Sequence, residues 1–184
     1  MSLCCTAQKA YKYEKESRIK KEAFPQNALE FLQQHLPEKV KKVKYYKEQD
    51  SLKESYETKL KFKKQKYSIE FDKDGTLEDV EITIKPKEIP PKTFEKIKSH
   101  FQNTYDAFRI KKIQRQYKNT PTIDAQKVLK NAFSKDVNSV FFYEIIAEVK
   151  TKKKRFFIEI TFTKDGDFQL VRTIIQSSYD HILY

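Results

Sequence analysis

Apolar residues recur along this chain with two periods, and the switch between them marks the elements. In "FPQNALEFLQQHLP" (Phe24 to Pro37) and "IPPKTFEKIKSHFQ" (Ile89 to Gln102) the apolar positions lie three and four apart. Phe24, Leu29, Leu32 and Leu36 in the first, and Ile89, Phe94, Ile97 and Phe101 in the second, form one stripe on each of two predicted helices. The two stretches align at an offset of 65 positions. Each carries proline at its start, where a missing N–H costs nothing. His35 and His100 coincide near the helix ends, where a cationic or hydrogen-bonding side chain suits the unpaired carbonyls.

After each helix the period drops to two. The first half continues with "VKKVKYY" (Val40 to Tyr46), "SYETKLKF" (Ser55 to Phe62), "YSIEFDKDG" and "LEDVEITI" (Leu77 to Ile84). The second continues with "IKKIQRQY" (Ile110 to Tyr117), "VFFYEIIAEV" (Val140 to Val149), "FIEITFTKDG" and "FQLVRTII" (Phe168 to Ile175). Each half therefore reads as one helix followed by four strands joined mostly as hairpins. The predicted fold class is α+β, with two αββββ repeats whose antiparallel sheets each carry a helix on one face. An N-terminal segment, 1–17, precedes repeat 1 (18–88) and repeat 2 (89–184), with "KPKEIPPK" at the junction. The two sheets are either continuous or separate. The second half alone carries an insertion, 118–139, in which Thr122 or Asp124 can cap a short helix over Ala125 to Phe133. Such an insertion serves either as part of a binding face or as a patch over exposed core.

The faces of the strands differ between the halves. In the first, Tyr56, Thr58, Leu60, Phe62, Tyr67, Ile69 and Phe71 point at the helix, and the opposite face is mixed in charge. In the second, Phe141, Tyr143, Ile145, Ala147, Val149, Ile158, Ile160 and Phe162 face the helix. Its opposite face still holds Phe142, Ile146, Phe157, Leu170 and Ile174 among Glu144, Glu148, Glu159 and Arg172. An antiparallel sheet covered on one side should alternate apolar with polar. Apolar residues on both faces imply either a second cover, from the inserted helix or the tail Tyr179 to Tyr184, or a partner site. The candidate partner-binding residues are Phe142, Glu144, Ile146, Phe157, Leu170, Arg172 and Ile174.

Only two glycines occur, Gly75 and Gly166, 91 positions apart, and each closes a Lys-Asp-Gly turn. From Glu70 the first turn fits much of a calcium-loop pattern, with Asp72, Asp74 and Glu81 as candidate ligands. Strand periodicity before the turn, in place of an entering helix, argues against it. The second copy keeps the turn but has Thr161, Thr163 and Arg172 where acids are needed. A hairpin needs φ > 0 and glycine supplies it, so the pair is expected to be structural punctuation, with no metal or other cofactor.

The chain has 184 residues, 35% of them charged, and a net charge of +12. This balance favours anionic partners. Lysine carries most of the charge and lacks the bidentate fork of arginine. Two basic turns occupy equivalent places, with Lys63, Lys64 and Lys66 in the first half and Lys152, Lys153, Lys154 and Arg155 in the second. They are the candidate anion-binding residues, for a glycan, a lipid headgroup or nucleic acid. Nucleic acid is disfavoured, because the strand aromatics follow core periodicity and offer no stacking platform. Adjacent Cys4 and Cys5 suit neither a disulfide framework nor zinc. No apolar run spans a membrane. Thr6-Ala7-Gln8 has the small-residue character of a cleavage-site remnant. There is no Gly-rich phosphate loop, G-x-S-x-G or His-x-x-x-His, and His35, His100 and His181 lack partners in sequence, so a non-enzyme is expected. A catalytic role ranks third, and a pocket holding several shifted titratable groups would revive it.

"FPQNALEFLQQHLP", "YETKLKFKKQKYSIEFDKDGTLEDVEI", "IPPKTFEKIKSHF" and "FFIEITFTKDGDF" together resemble the PepSY-like proteins grouped with the β-lactamase inhibitor-like (BLIP-like) fold, over roughly residues 18 to 175. The resemblance implies a non-catalytic module, periplasmic or secreted, in a cell-envelope setting, and the apolar outer sheet face of the second half adds the expectation that it binds a protein or peptide there. Thr163, the insertion and the lysine-rich surface depart from the pattern. No inhibitory loop can be matched residue by residue, and fold alone does not confer inhibition.

Overall fold

Alternating apolar and polar residues form strands here because one side of each must be dry. The protein, described by a computed structural model over residues 10–50 and 53–175, has ten strands and three helices among those residues. The strands are β1 (Ala10–Lys12), β2 (Glu14–Ile19), β3 (Lys41–Asp50), β4 (Lys53–Phe62), β5 (Gln65–Asp72), β6 (Leu77–Thr83), β7 (Ala107–Lys118), β8 (Phe142–Lys150), β9 (Arg155–Thr163) and β10 (Phe168–Ile174). The helices are α1 (Gln26–His35), α2 (Pro91–Thr104) and α3 (Ala125–Ser134). Cys4, Cys5, Thr6-Ala7-Gln8, His181 and the tail Tyr179 to Tyr184 lie outside the described residues.

All ten strands belong to one sheet, in the order β1-β10-β9-β8-β7-β6-β5-β4-β3-β2. The two halves are thus continuous through the antiparallel β6–β7 pair, with Ile82 beside Arg115. The outermost strands, β1 and β2, are separated in sequence by Tyr13 alone. Nine strand spacings would set the edges of a flat sheet about 43 Å apart, whereas two residues of chain reach only about 7 Å. The sheet therefore curls until its edges meet. Residues 10–12 pair in parallel with β10, and residues 14–19 pair antiparallel with β3. Two further bonds fasten the seam: Tyr13 N–H donates to Asp50 Oδ1 at 3.1 Å, and Ile175 N–H donates to the Lys12 carbonyl at 3.1 Å. Sequence reading leaves this seam as part of an unassigned N-terminal segment.

All three helices pack on the convex side. Phe24, just before α1, meets Tyr45, Tyr56 and Phe71 at 5.0, 5.6 and 5.8 Å between ring centres. In α2, Ile97 and Phe101 are fully buried, and Phe101 stacks on Phe108 at 4.9 Å. The inserted helix α3 is capped by Asp124, whose carboxylate accepts from Lys127 N–H at 3.0 Å. Its Phe133 stacks on Tyr67 at 4.5 Å, so α3 extends the core across β6 and β7 and leaves the concave face uncovered. Gly75 and Gly166 adopt φ +77° and +84°. In each turn one side chain two residues before the Asp-Gly pair accepts two backbone N–H groups. Asp72 accepts from Asp74 and Thr76, and Thr163 accepts from Asp165 and Asp167. A methyl group at Gly75 would overlap the Asn27 amide on α1, and one at Gly166 would press on the Thr93 carbonyl of α2. Each glycine thus serves both its turn and the approach of a helix.

Candidate functional site

Because the convex side takes the apolar residues, alternation puts the polar ones on the concave side, inside the closed sheet. All ten strands contribute to a cavity of about 480 Å³ there. Its floor is built of rows read across the strands. Gln114, Glu144, Thr161 and Leu170 form one row on β7 to β10, and Lys112, Ile146, Glu159 and Arg172 form the next. On the other wall Glu57, Glu70 and Asp79 are successive neighbours on β4, β5 and β6, as are Lys59, Ser68 and Glu81. Carboxylates outnumber cationic side chains in this lining, although the chain as a whole carries a charge of +12.

The charges sort into three groups. At the seam, Lys12 Nζ stands 2.6 Å from Glu159 Oε2, while Arg172 bonds Glu159 from the other side and reaches Asp50 on β3 at 3.5 Å. Burial alone would raise Glu159, but Lys12 and Arg172 outweigh it and hold the carboxyl at about 2. A second group joins β2 to β4, where the Lys59 ammonium bonds both Glu16 and Glu57. Burial pulls Lys59 down, yet Glu57 and Glu16 raise it above its ordinary value. The third group lies on β5, β6 and β8 and is rich in acid. Burial, then the charge of Glu144, pushes Asp79 up to about 7 and Glu81 well above the usual carboxylate range. Glu144 itself rises to about 6, through burial and then repulsion from Glu159. Amides serve the first two: Gln114 donates to Glu81, and Gln116 donates to Asp79 at 2.9 Å and to Glu81 at 3.3 Å.

The register puts all seven candidate partner residues on this one concave face. Glu144, Ile146, Leu170 and Arg172 line the cavity. Phe142 lies under the Lys118 ammonium at 5.2 Å, and Phe157 under that of Lys111 at 5.6 Å. Ile146 and Ile174 are buried, Phe142 and Phe157 are half-buried, and Leu170 is 45% exposed. Their cover is the curl of the sheet and its seam, not the inserted helix. The basic residues fall into two hairpin tips, Lys63 and Lys64 between β4 and β5, and Lys152 to Lys154 between β8 and β9, with Lys66 and Arg155 at the start of the following strands. Strand directions set both tips at the same end of the sheet, with β6 and β7 between them. A second cavity of about 670 Å³ is lined by Lys42, Lys44, Lys61, Lys66 and Lys111, without a residue of the β8–β9 tip among the described ones. The calcium-loop set is not brought together as a loop. Asp72 is occupied by its own turn, Asp74 pairs with Lys73 on the surface, and Glu81 points into the cavity.

Sequence reading misses Lys12, Asp79, Gln114 and Gln116. Only the alternation within "LEDVE" and "IQRQY" marks the last three, and it says nothing of a second wall closing over them. The shifted acids are the kind of group that accompanies acid–base chemistry. Among the described residues no histidine or cysteine lines the cavity, and Ser68, in the row with Lys59 and Glu81, donates its hydroxyl to Glu57.

No family model and no curated protein matches the sequence. Solved structures do. A DUF2874 family protein from Bacteroides ovatus covers 86% of this chain and 93% of its own, at 12% identity and a TM-score of 0.53. A protein from Bacteroides eggerthii, whose description proposes a periplasmic location, covers 85% and 93% at the same identity and score. A BLIP-like protein from Bacteroides fragilis covers 81% and 86%, at 12% identity and a TM-score of 0.50. None of the three carries a catalytic or a PepSY description. No helix among the described residues is long and apolar enough to cross a membrane. The helices packed on one side of a long, mostly antiparallel sheet give this chain a BLIP-like fold.

Proposed function

We propose that this protein is a non-catalytic binding module of the cell envelope, periplasmic or secreted, that takes an extended segment of a partner protein at the mouth of its concave face. The observation that carries the reading is Leu170. It is an exposed apolar residue at the rim of an acid-rich cavity, flanked on β8 to β10 by Phe142, Glu144, Ile146 and Arg172. Acidic lining in a basic protein selects for lysine or arginine in the ligand, with an apolar residue beside it. The molecule's own seam gives a precedent, because β1 is an extended segment that delivers Lys12 to Glu159. The neighbouring BLIP-like and periplasmic descriptions support the location and the binding role. The two helix-plus-four-strand halves, 18–88 and 89–184, are read as copies of one αββββ unit. Their equivalent turns at Gly75 and Gly166 support this.

Fluorescence anisotropy with labelled ten-residue peptides tests the function. Peptides alternating Lys with Phe or Leu should bind, and those with Glu in place of Lys should not. Leu170→Ser should weaken binding about 10-fold or more, the cost of leaving one leucine-sized contact in water. Absence of binding by the basic peptides would overturn this reading. A second reading, anion binding, rests on the two lysine-rich hairpin tips at the opposite end of the sheet. Retention on heparin or anionic vesicles, lost on neutralising Lys152, Lys153, Lys154 and Arg155, would favour it instead.

A further inference from the structure

Glu70 and Glu81, the first and last positions of the calcium-loop pattern, do meet, but across two strands and with Asp79 as the third member. Glu70 on β5 is the register neighbour of Asp79 on β6. One carboxylate oxygen from each of the three lies within 4.8 Å of the other two. Two oxygens on one Ca²⁺, each at about 2.3–2.6 Å, are at most about 5 Å apart, so this spacing fits a single coordination sphere.

Independent observations point to a ligand at this cluster. Asp79 is 7% exposed, and its Oδ1 has no hydrogen-bond partner among the described residues. Gln116 is 6% exposed, and its Oε1 likewise has no partner among the described residues, while its Nε2 donates to Asp79 and Glu81. A buried carboxylate oxygen without a donor is costly, and native structures avoid it. Turning the Gln116 amide by half a revolution exchanges nitrogen for oxygen and offers a fourth ligand to the same point. The cluster of Glu16, Glu48 and Glu57 also brings three carboxylates within the same spacing but contains a resident cation, the Lys59 ammonium bonded to Glu16 and Glu57. Asp79 and Glu81 make no such ion pair among the described residues.

We infer that Glu70, Asp79 and Glu81, with the Gln116 amide oxygen, form a binding site for one hard divalent cation, calcium by preference. The donors are all oxygen, which disfavours zinc and copper. The adjoining cavity admits the waters that complete six to eight ligands. Magnesium, which demands a smaller and more regular octahedron, should bind more weakly. The site needs no partner protein and stands or falls separately from the peptide-binding reading.

The test is calcium added to chelator-treated full-length protein, followed by titration calorimetry and thermal melting. One ion should bind per chain. The melting temperature should rise by about 5–10 °C at roughly 100-fold excess over Kd. Asp79→Asn keeps the side-chain shape and should lower affinity about tenfold or more, whereas Asp74→Asn on the turn should leave it unchanged. The inference is overturned if wild-type protein shows neither heat nor a melting shift at about 10 mM calcium. It is equally overturned if binding persists in the folded Asp79→Asn/Glu81→Gln variant.

Discussion

Replacing Glu159 by glutamine tests the electrostatic logic of the seam. The side chain is buried between Lys12 and Arg172, and its carboxyl is held at about 2 against an ordinary 4.5. At 1.36 kcal/mol per pH unit this gap corresponds to about 3 kcal/mol of folding stability. The folded value lies below the unfolded one, so the contribution is complete above pH 4.5 and fades as the pH falls through 2. Urea denaturation of wild type and Glu159→Gln at pH 7 should therefore differ by about 3 kcal/mol, shrinking to about 1 kcal/mol near pH 2.5. Glu144 gives a second readout. Glu159 repels it, so the substitution should lower its raised value of about 6. A difference under about 0.5 kcal/mol at pH 7, the size of an ordinary surface change, would refute the reasoning. So would a difference that does not change with pH.

Two further substitutions probe the turns. Gly75→Ala should cost about 2–3 kcal/mol in urea denaturation, combining a left-handed backbone with loss of the Asn27 to Asp74 hydrogen bond. In an Asn27→Ala background the same change should cost about 1 kcal/mol less, and equal costs would deny the helix contact. Lys64→Gly should raise stability by about 1 kcal/mol, because Lys63 and Lys64 occupy the tip of the β4–β5 hairpin at φ +46° and +68°. A neutral or destabilising result in thermal melting would contradict that assignment.

Much of the fold is legible in the sequence because its convex side obeys simple alternation. Tyr143, Ile145, Ala147 and Val149 face Phe162, Ile160, Ile158 and Phe156 across β8 and β9, as period-two reading requires. The two Asp-Gly turns announce themselves through the only residue type that accepts their φ at low cost. The seam does not. Residues 10–19, "AYKYEKESRI", carry too few apolar residues to read as a half-buried strand, because their inward side, with Lys12 and Glu16, faces a charged cavity and the exposed Tyr11 and Tyr13 lie on the other. Nor can local pattern show that Ala10 pairs with Arg172, 162 positions away. The candidate site shares that fate. Glu144 and Arg172 are visible as polar residues on an oddly apolar face, but Asp79, Gln114 and Gln116 look like ordinary solvated positions until the sheet closes over them.

Hydrogen exchange at residues 10–19 most directly tests whether the sheet closes around a charged interior. The backbone amides of β1 and β2 should exchange slowly, comparably with the edges of β3 and β10 to which they are bonded. Removing residues 1–19 should then deprotect β3 and β10 and leave β5 to β8 unchanged. Exchange of residues 10–19 at the rate of an unstructured chain, with β3 and β10 indifferent to their removal, would contradict the closed sheet and with it the enclosed site.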